Sequence, residues 1–232
     1  MATIDALKGP TLLPQGKGAT SVVLLLHGYG SNGDDLIGLA PFFARALPNT
    51  AFYSPNAPTP LEGMPGGYQW FGLGNYDPGA MMRDPQRMTE TFRALRPGTE
   101  AAAVVLNTYL DQVLAFHSLK ADRLALLGFS QGTMMALHVG LRRAEQIGAI
   151  LGYSGALTGP DRLAAEIKSR PPVALVHVDA DPVVPIQAMI EAEHTLTAVG
   201  VKYDSKVIRG LQHGIDGDGA QFGADFLKKH IG

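Results

Sequence analysis

A strand-length apolar run, Leu124-Ala125-Leu126-Leu127, breaks at Gly128-Phe129-Ser130-Gln131-Gly132 and resumes as Thr133-Met134-Met135-Ala136-Leu137-His138, which reads as helix. A strand that turns so abruptly into a helix leaves no room for side chains at the flanks of the corner, and glycine tolerates that crowding. G-x-S-x-G in a strand–turn–helix setting is the pattern of a nucleophile elbow, whose apex serine is strained and exposed above a sheet. Glycine is abundant, 28 of 232 residues, so the pattern alone recurs by chance. The flanking strand and helix make it specific, and Ser130 is the candidate nucleophile.

The rest of the chain repeats the same alternation. Ser21–His27 is a continuous apolar run, as expected of a strand buried on both faces. It ends in the glycine loop His27-Gly28-Tyr29-Gly30, and Asn32 or Asp34 can cap the helix that carries Leu36, Ile37, Leu39 and Ala40. Further strands are expected at Ala51–Ser54, Ile147–Tyr153, Val173–Val178 and Val201–Ile208, with an edge strand near Thr11–Leu13. Helices are expected within Pro85–Leu95, from Thr99 to about Leu119, over Pro160–Ser169, around Ile186–Val199 and at the C-terminal end. Strands alternating with helices specify an α/β domain with a mostly parallel sheet covered on both faces. Without repeats or a long linker, residues 1–232 are expected to form one such domain. From Pro55 to Gly98 the chain is largely Pro, Gly, Met and aromatic residues, a length of irregular chain that usually serves as a binding loop or lid. Trp70, with Tyr68, Phe71, Leu73 and Tyr76, either pins this loop to the body or walls a substrate pocket.

Composition narrows the function classes. Lys and Arg number 19 against 21 Asp and Glu, so nothing argues for a nucleic-acid or anionic-membrane partner. Cysteine is absent, which excludes a disulfide framework, thiolate chemistry and cysteine metal sites. The start of the chain lacks a basic segment followed by an apolar one, and no apolar run reaches membrane-spanning length. These features fit a cytoplasmic protein with no membrane span. No H-x-x-H or H-E-x-x-H spacing occurs, so no metal site is expected.

A serine hydroxyl needs a base within hydrogen-bond reach, and the base needs a third group to hold its tautomer. Behind an elbow of this kind the acid and then the histidine follow on loops after later strands. The strand 173–178 runs into Asp179-Ala180-Asp181-Pro182-Val183-Val184-Pro185, where either aspartate is a candidate: Asp179 nearer the strand end, Asp181 better placed to reach across. His213, in Gly210-Leu211-Gln212-His213-Gly214, lies on the loop after the last strand. His27 and His177 belong to core strands, and His117, His138, His194 and His230 to helices. An oxyanion hole needs two donors: the amide of Gln131, and one from the loop after an early strand, here Tyr29.

Together, His27-Gly28-Tyr29-Gly30, Gly128-Phe129-Ser130-Gln131-Gly132, Asp179-Ala180-Asp181-Pro182-Val183-Val184-Pro185 and Leu211-Gln212-His213-Gly214 resemble the phospholipase/carboxylesterase family. Its members are small α/β-hydrolases that include bacterial carboxylesterases and acyl-protein thioesterases. The resemblance covers roughly residues 20–230 and extends to Pro55-Asn56-Ala57-Pro58 with Tyr68-Gln69-Trp70-Phe71. It implies the α/β-hydrolase fold, serine-dependent hydrolysis of carboxylic esters, a triad of Ser130, His213 and Asp181, and no cofactor. Two departures bear on substrate size: Tyr29 stands where the thioesterases usually have Leu, and Asp77–Gly98, with Met81, Met82 and Met88, is longer than in compact members.

The expected function is that of a serine carboxylesterase acting on a small-molecule ester of small to medium acyl length. The stretch 154–172 is too short for a large cap domain, so an open cleft walled by Trp70, Phe71, Leu73 and Val184 is expected. An acyl-thioesterase or lysophospholipase would use the same residues, and a non-catalytic ligand-binding homologue is the rival outside enzymes. The protein partner that the chain is expected to admit is a second copy of itself, as a homodimer.

Overall fold

The computed structural model describes residues 3–16 and 18–232. Its centre is a seven-stranded sheet formed by β1 (Thr11–Leu12), β2 (Ser21–Leu26), β3 (Thr50–Tyr53), β6 (Leu124–Phe129), β7 (Ala149–Tyr153), β8 (Val173–Val178) and β9 (Tyr203–Ile208), in the order β1-β3-β2-β6-β7-β8-β9. Only β1 is antiparallel, pairing with β3 at Thr11↔Tyr53 and Leu12↔Phe52. A separate two-stranded ribbon joins β4 (Thr59–Pro60) to β5 (Tyr68–Gln69).

Alternate residues of the central strands feed two apolar layers, which is why the runs read as uninterrupted. Val22, Leu24 and Leu26 of β2 face α4 (Pro85–Ala94), α5 (Arg96–His117), α6 (Gln131–Arg142), α7 (Pro160–Glu166) and α8 (Gln187–Ala198). Val23 and Leu25 face α1 (Gly33–Leu36), α2 (Ala40–Ala46) and α9 (Gly217–Ile231). The connection from β7 to β8 contains only α7, so no large cap covers the sheet. Among the described residues no helix is long and apolar enough to cross a membrane.

Local chemistry sets the element ends. Asn32, not Asp34, caps α1: its side-chain oxygen accepts from the Asp35 amide at 2.9 Å. The region 55–98 is less irregular than its composition suggests. Besides α4 it holds α3 (Pro78–Arg83), whose first turn is capped by Asp77 accepting from the Ala80 amide, with Pro78 in the N-terminal position proline favours. The long helix α5 starts at Arg96 rather than Thr99, because Pro97 falls where its missing N–H has no partner to lose. Thr99, expected to open α5, is buried and donates back to the Leu95 carbonyl at 3.0 Å.

α5 and α6 pack together beneath the sheet, and Leu106, Leu110 and Val113 of α5 are wholly buried there. Beside them Glu166 of α7 gathers Arg96 at 2.7 Å and Arg142 at 3.0 Å. His138, buried on α6, is lowered to about 4, first by burial and then by Arg142 and Arg96, with Glu166 opposing. The unfolded chain takes up this proton near pH ~6.5 and the folded chain does not. Folding stability is therefore unaffected above that pH and declines as pH falls toward the folded value. Urea midpoints between pH 7 and pH 4.5 should fall less steeply in His138→Phe than in the parent; parallel slopes would refute the assignment. Leu110→Ala should cost about 2–5 kcal/mol in urea unfolding, and a loss below ~1 kcal/mol would mean that the α5 seam repacks.

Candidate active site

At the carboxyl end of β6 the chain turns through Ser130, whose φ of 55° and ψ of −116° are rare for a residue bearing a side chain. The conformation is over-determined by its surroundings. The Ser130 amide donates to the Tyr153 carbonyl at 2.9 Å, and the Thr133 hydroxyl lies 2.8 Å from both the Gly128 and Tyr153 carbonyls. A Cβ on Gly132 would meet the Leu26 carbonyl, and one on Gly128 would meet the Gly132 backbone, so both positions require glycine.

The loop after β8 presents Asp181, whose side chain is completely buried. Its Oδ1 accepts from the Val183 amide at 2.8 Å and the Val184 amide at 2.9 Å, while Oδ2 accepts from His213 Nδ1 at 2.7 Å. Burial alone would push this carboxyl up, but the hydrogen bonds from His213, Val184 and Val183 outweigh it and hold the group below the usual carboxylate range. An ionised Asp181 requires the proton on Nδ1 and leaves Nε2 of a neutral His213 free to accept. The Phe129 ring packs against the imidazole, centroids 4.7 Å apart. Asp179 does different work: it is exposed and accepts from the Gly210 amide at 2.7 Å, tying the β8 loop to the one that carries His213.

The early loop is set by His27. This buried imidazole accepts from the Ala57 amide at Nε2 and donates from Nδ1 to the Gly28 carbonyl at 2.7 Å. Burial depresses its pKa, which keeps it neutral for that pair of bonds. Among the described residues the amides of Tyr29 and Gln131 donate to no protein acceptor, which leaves both free for a ligand oxygen. The Gln131 side chain bridges to the 68–73 segment, accepting from the Trp70 amide at 2.8 Å and donating to the Phe71 carbonyl at 2.7 Å.

Ser130, Gln131, Tyr29 and His213 meet at one cavity of about 290 Å³. Its walls are mainly apolar: Leu73, Tyr76, Phe129, Met134, Val183 and Val184. Leu73 and Val184, two of the four residues expected to wall the cleft, are among its lining residues. Trp70 and Phe71 do not line the cavity. Both are buried behind it, Trp70 donating from Nε1 to the His27 carbonyl at 3.0 Å, and they anchor the wall instead of forming it. Tyr76 closes the far side by donating to the Val183 carbonyl at 2.9 Å. Tyr76, one of the aromatic residues expected either to pin the 55–98 loop or to wall a pocket, lines the cavity, whereas Phe129 and Met134 carried no sequence signal as lining residues. Among the described residues no group of three or more His, Asp or Glu side chains is arranged to hold a metal.

This geometry sits on a chain whose residues 8–231 match the profile of the phospholipase/carboxylesterase family. The chain belongs to that family. It shares 25% identity with the Escherichia coli esterase YpfH, over 93% of this chain and 85% of that one. It shares 27% with acyl-protein thioesterase 1 of Saccharomyces cerevisiae, over 92% and 94%. The crystal structure of esterase PE8 superposes with a TM-score of 0.87 at 40% identity, covering 97% of this chain and 99% of that one. Arabidopsis thaliana SOBER1, at 19% identity, shares the fold with a TM-score of 0.75, covering 91% of this chain and 99% of that one. The fold is that of the α/β-hydrolases, and the chain is a serine ester hydrolase of this family.

The Gln131 bridge predicts a local mechanical effect. Gln131→Ala should remove the acceptor of the Trp70 amide and speed hydrogen exchange there and along residues 68–73. Unchanged protection would show that the segment is held by its other contacts.

Proposed function

We propose that the protein is a carboxylesterase that cleaves small to medium acyl esters through Ser130, His213 and Asp181. The observation that carries this reading is the 2.7 Å bond from His213 Nδ1 to a buried Asp181, beside a serine held at positive φ on the same cavity. His213 Nε2 takes the Ser130 proton as the oxygen attacks the ester carbonyl. Asp181 stabilises the imidazolium that forms, and the amides of Tyr29 and Gln131 receive the oxyanion. His213 then protonates the leaving alkoxide. Water enters, loses its proton to His213 and releases the acid, restoring Ser130.

The cavity supports the size class. At about 290 Å³ it lies near the lower end of small-molecule sites, which span roughly 300–1,000 Å³. Its apolar wall suits an acyl chain, and its volume suits a short one. Thioester cleavage would use the same residues, and the likeness to a yeast acyl-protein thioesterase makes it the second reading. A long-chain lysophospholipid fits the volume less well.

A ladder of p-nitrophenyl esters of rising acyl length, run beside matched acyl thioesters, tests the reading. Turnover should peak at short to medium chains, fall to background in Ser130→Ala, and drop about 10³- to 10⁴-fold in Asp181→Asn. A parent that fails to react with a fluorophosphonate, or an active Ser130→Ala, would refute the serine mechanism. Faster turnover of thioesters at every length would select the second reading.

A further inference from the structure

Beside the catalytic cavity lies a larger one of about 460 Å³. Its far wall is one face of α4, where Arg87, Glu90, Thr91 and Ala94 recur at helical spacing. Its near wall is the 72–80 segment, and Leu73 lines both cavities. Along that segment Tyr76 and Pro78 border the catalytic side, whereas Asn75, Asp77 and Ala80 border the other. The segment is a partition, pinned at one end by the Phe71 carbonyl on Gln131 and at the other by the Tyr76 hydroxyl on Val183. Between the pins Leu73 is flanked by Gly72 and Gly74, where an added Cβ would meet nothing within 4 Å. Leu73 is therefore the residue of the partition that both cavities share, in a stretch uncrowded on either side.

The two cavities differ in chemistry. The catalytic one is apolar apart from its reacting groups; the second is rich in donors and acceptors of both kinds. Asp77 and Glu90 offer carboxylates, Arg87 a guanidinium whose Nε reaches Asp84 only at 4.0 Å, and Asn75 and Thr91 an amide and a hydroxyl. Two carboxylates against one guanidinium disfavour an anionic ligand. Mixed donors and acceptors at several points suit a neutral molecule carrying many hydroxyls.

We propose that this second cavity binds the alcohol portion of a polyol ester, such as an acylated monosaccharide, while its short acyl chain occupies the catalytic cavity and Leu73 marks the boundary. The proposal rests on the Ser130 esterase reading and names its substrate class. A site that hydrogen-bonds substrate hydroxyls discriminates against an analogue that lacks them.

The test compares a glucose butyrate monoester with hexyl butyrate, in the parent and in Arg87→Ala/Glu90→Ala, whose side chains lie on the exposed face of α4. The parent should show a KM lower by about tenfold for the sugar ester, and the double variant should lose most of that preference. Equal KM values in the parent, or a preference that survives the double variant, would overturn the proposal. Hexyl butyrate turnover with phosphonate labelling of Ser130, but no sugar preference, would refute this inference alone. Failed labelling would refute the esterase reading. Calorimetric binding of the glucose ester to Ser130→Ala reads the cavity independently of turnover: tighter binding than hexyl butyrate supports the proposal, and absence of a difference overturns it.

Discussion

The carboxyl edge of the sheet depends on how closely α6 approaches β2. Gly132 brings the first turn of α6 against the Leu26 carbonyl, a contact that any Cβ would prevent. That approach bends the chain at Ser130 into its positive-φ corner, and the hydrogen bond from the Ser130 N–H to the Tyr153 carbonyl locks the corner onto the neighbouring strand. Strain of this sort, of order 1–3 kcal/mol, persists only where the surrounding packing over-determines it. Here the packing is supplied by two strands with every residue of β2 buried and by a helix buried along most of its length. The sheet core and the serine's geometry are thus one problem: the packing of α6 on β2 that fills the core also holds the elbow.

From the elbow, rigidity passes outward through polar side chains that are themselves buried. Gln131 carries it to Trp70 and Phe71, Trp70 to the His27 carbonyl, and His27 to Ala57 and Gly28. The loop bearing the Tyr29 amide is therefore braced by the same residue that follows the serine. Each of these groups would be costly to bury unpaired, so the network closes as a unit.

The sheet strands were legible in sequence because strands buried on both faces leave uninterrupted apolar runs, and Ser21–Leu26 and Val173–Val178 end within a residue of where those runs end. Ser130, Asp181 and His213 could be placed on one edge of the sheet from sequence for a topological reason, since each follows a parallel strand and the carboxyl ends of those strands meet the same edge. Three things were not legible. α3 was hidden because six residues with two methionines carry too little periodicity, although Asp77-Pro78 was a capping signal. The place of Trp70 was ambiguous because an aromatic residue beside a site reads alike as wall or as anchor; a backbone bond to Gln131 made it the latter. The second cavity had no signature at all, because it arises where a loop and a helix from one long connection face each other.

Two histidines lie close to Asp181, and they differ in how their ring nitrogens are engaged. His177, buried in β8, donates from Nε2 to the Val184 carbonyl at 2.9 Å and stands 3.7 Å from the Asp181 carboxylate, beyond hydrogen-bond range. Burial lowers its pKa, so it remains neutral with its one N–H engaged. That bond steadies the turn whose Val183 and Val184 amides hold Asp181 Oδ1. His213 makes the short bond to Oδ2 and keeps part of its ring at the cavity. The two imidazoles therefore do different work, one supporting the loop from beneath and the other bonded to Asp181 and facing the serine's cavity. A histidine inside a core strand has its donor satisfied by the fold, whereas one on a loop after the last strand is free to direct its second nitrogen at a substrate.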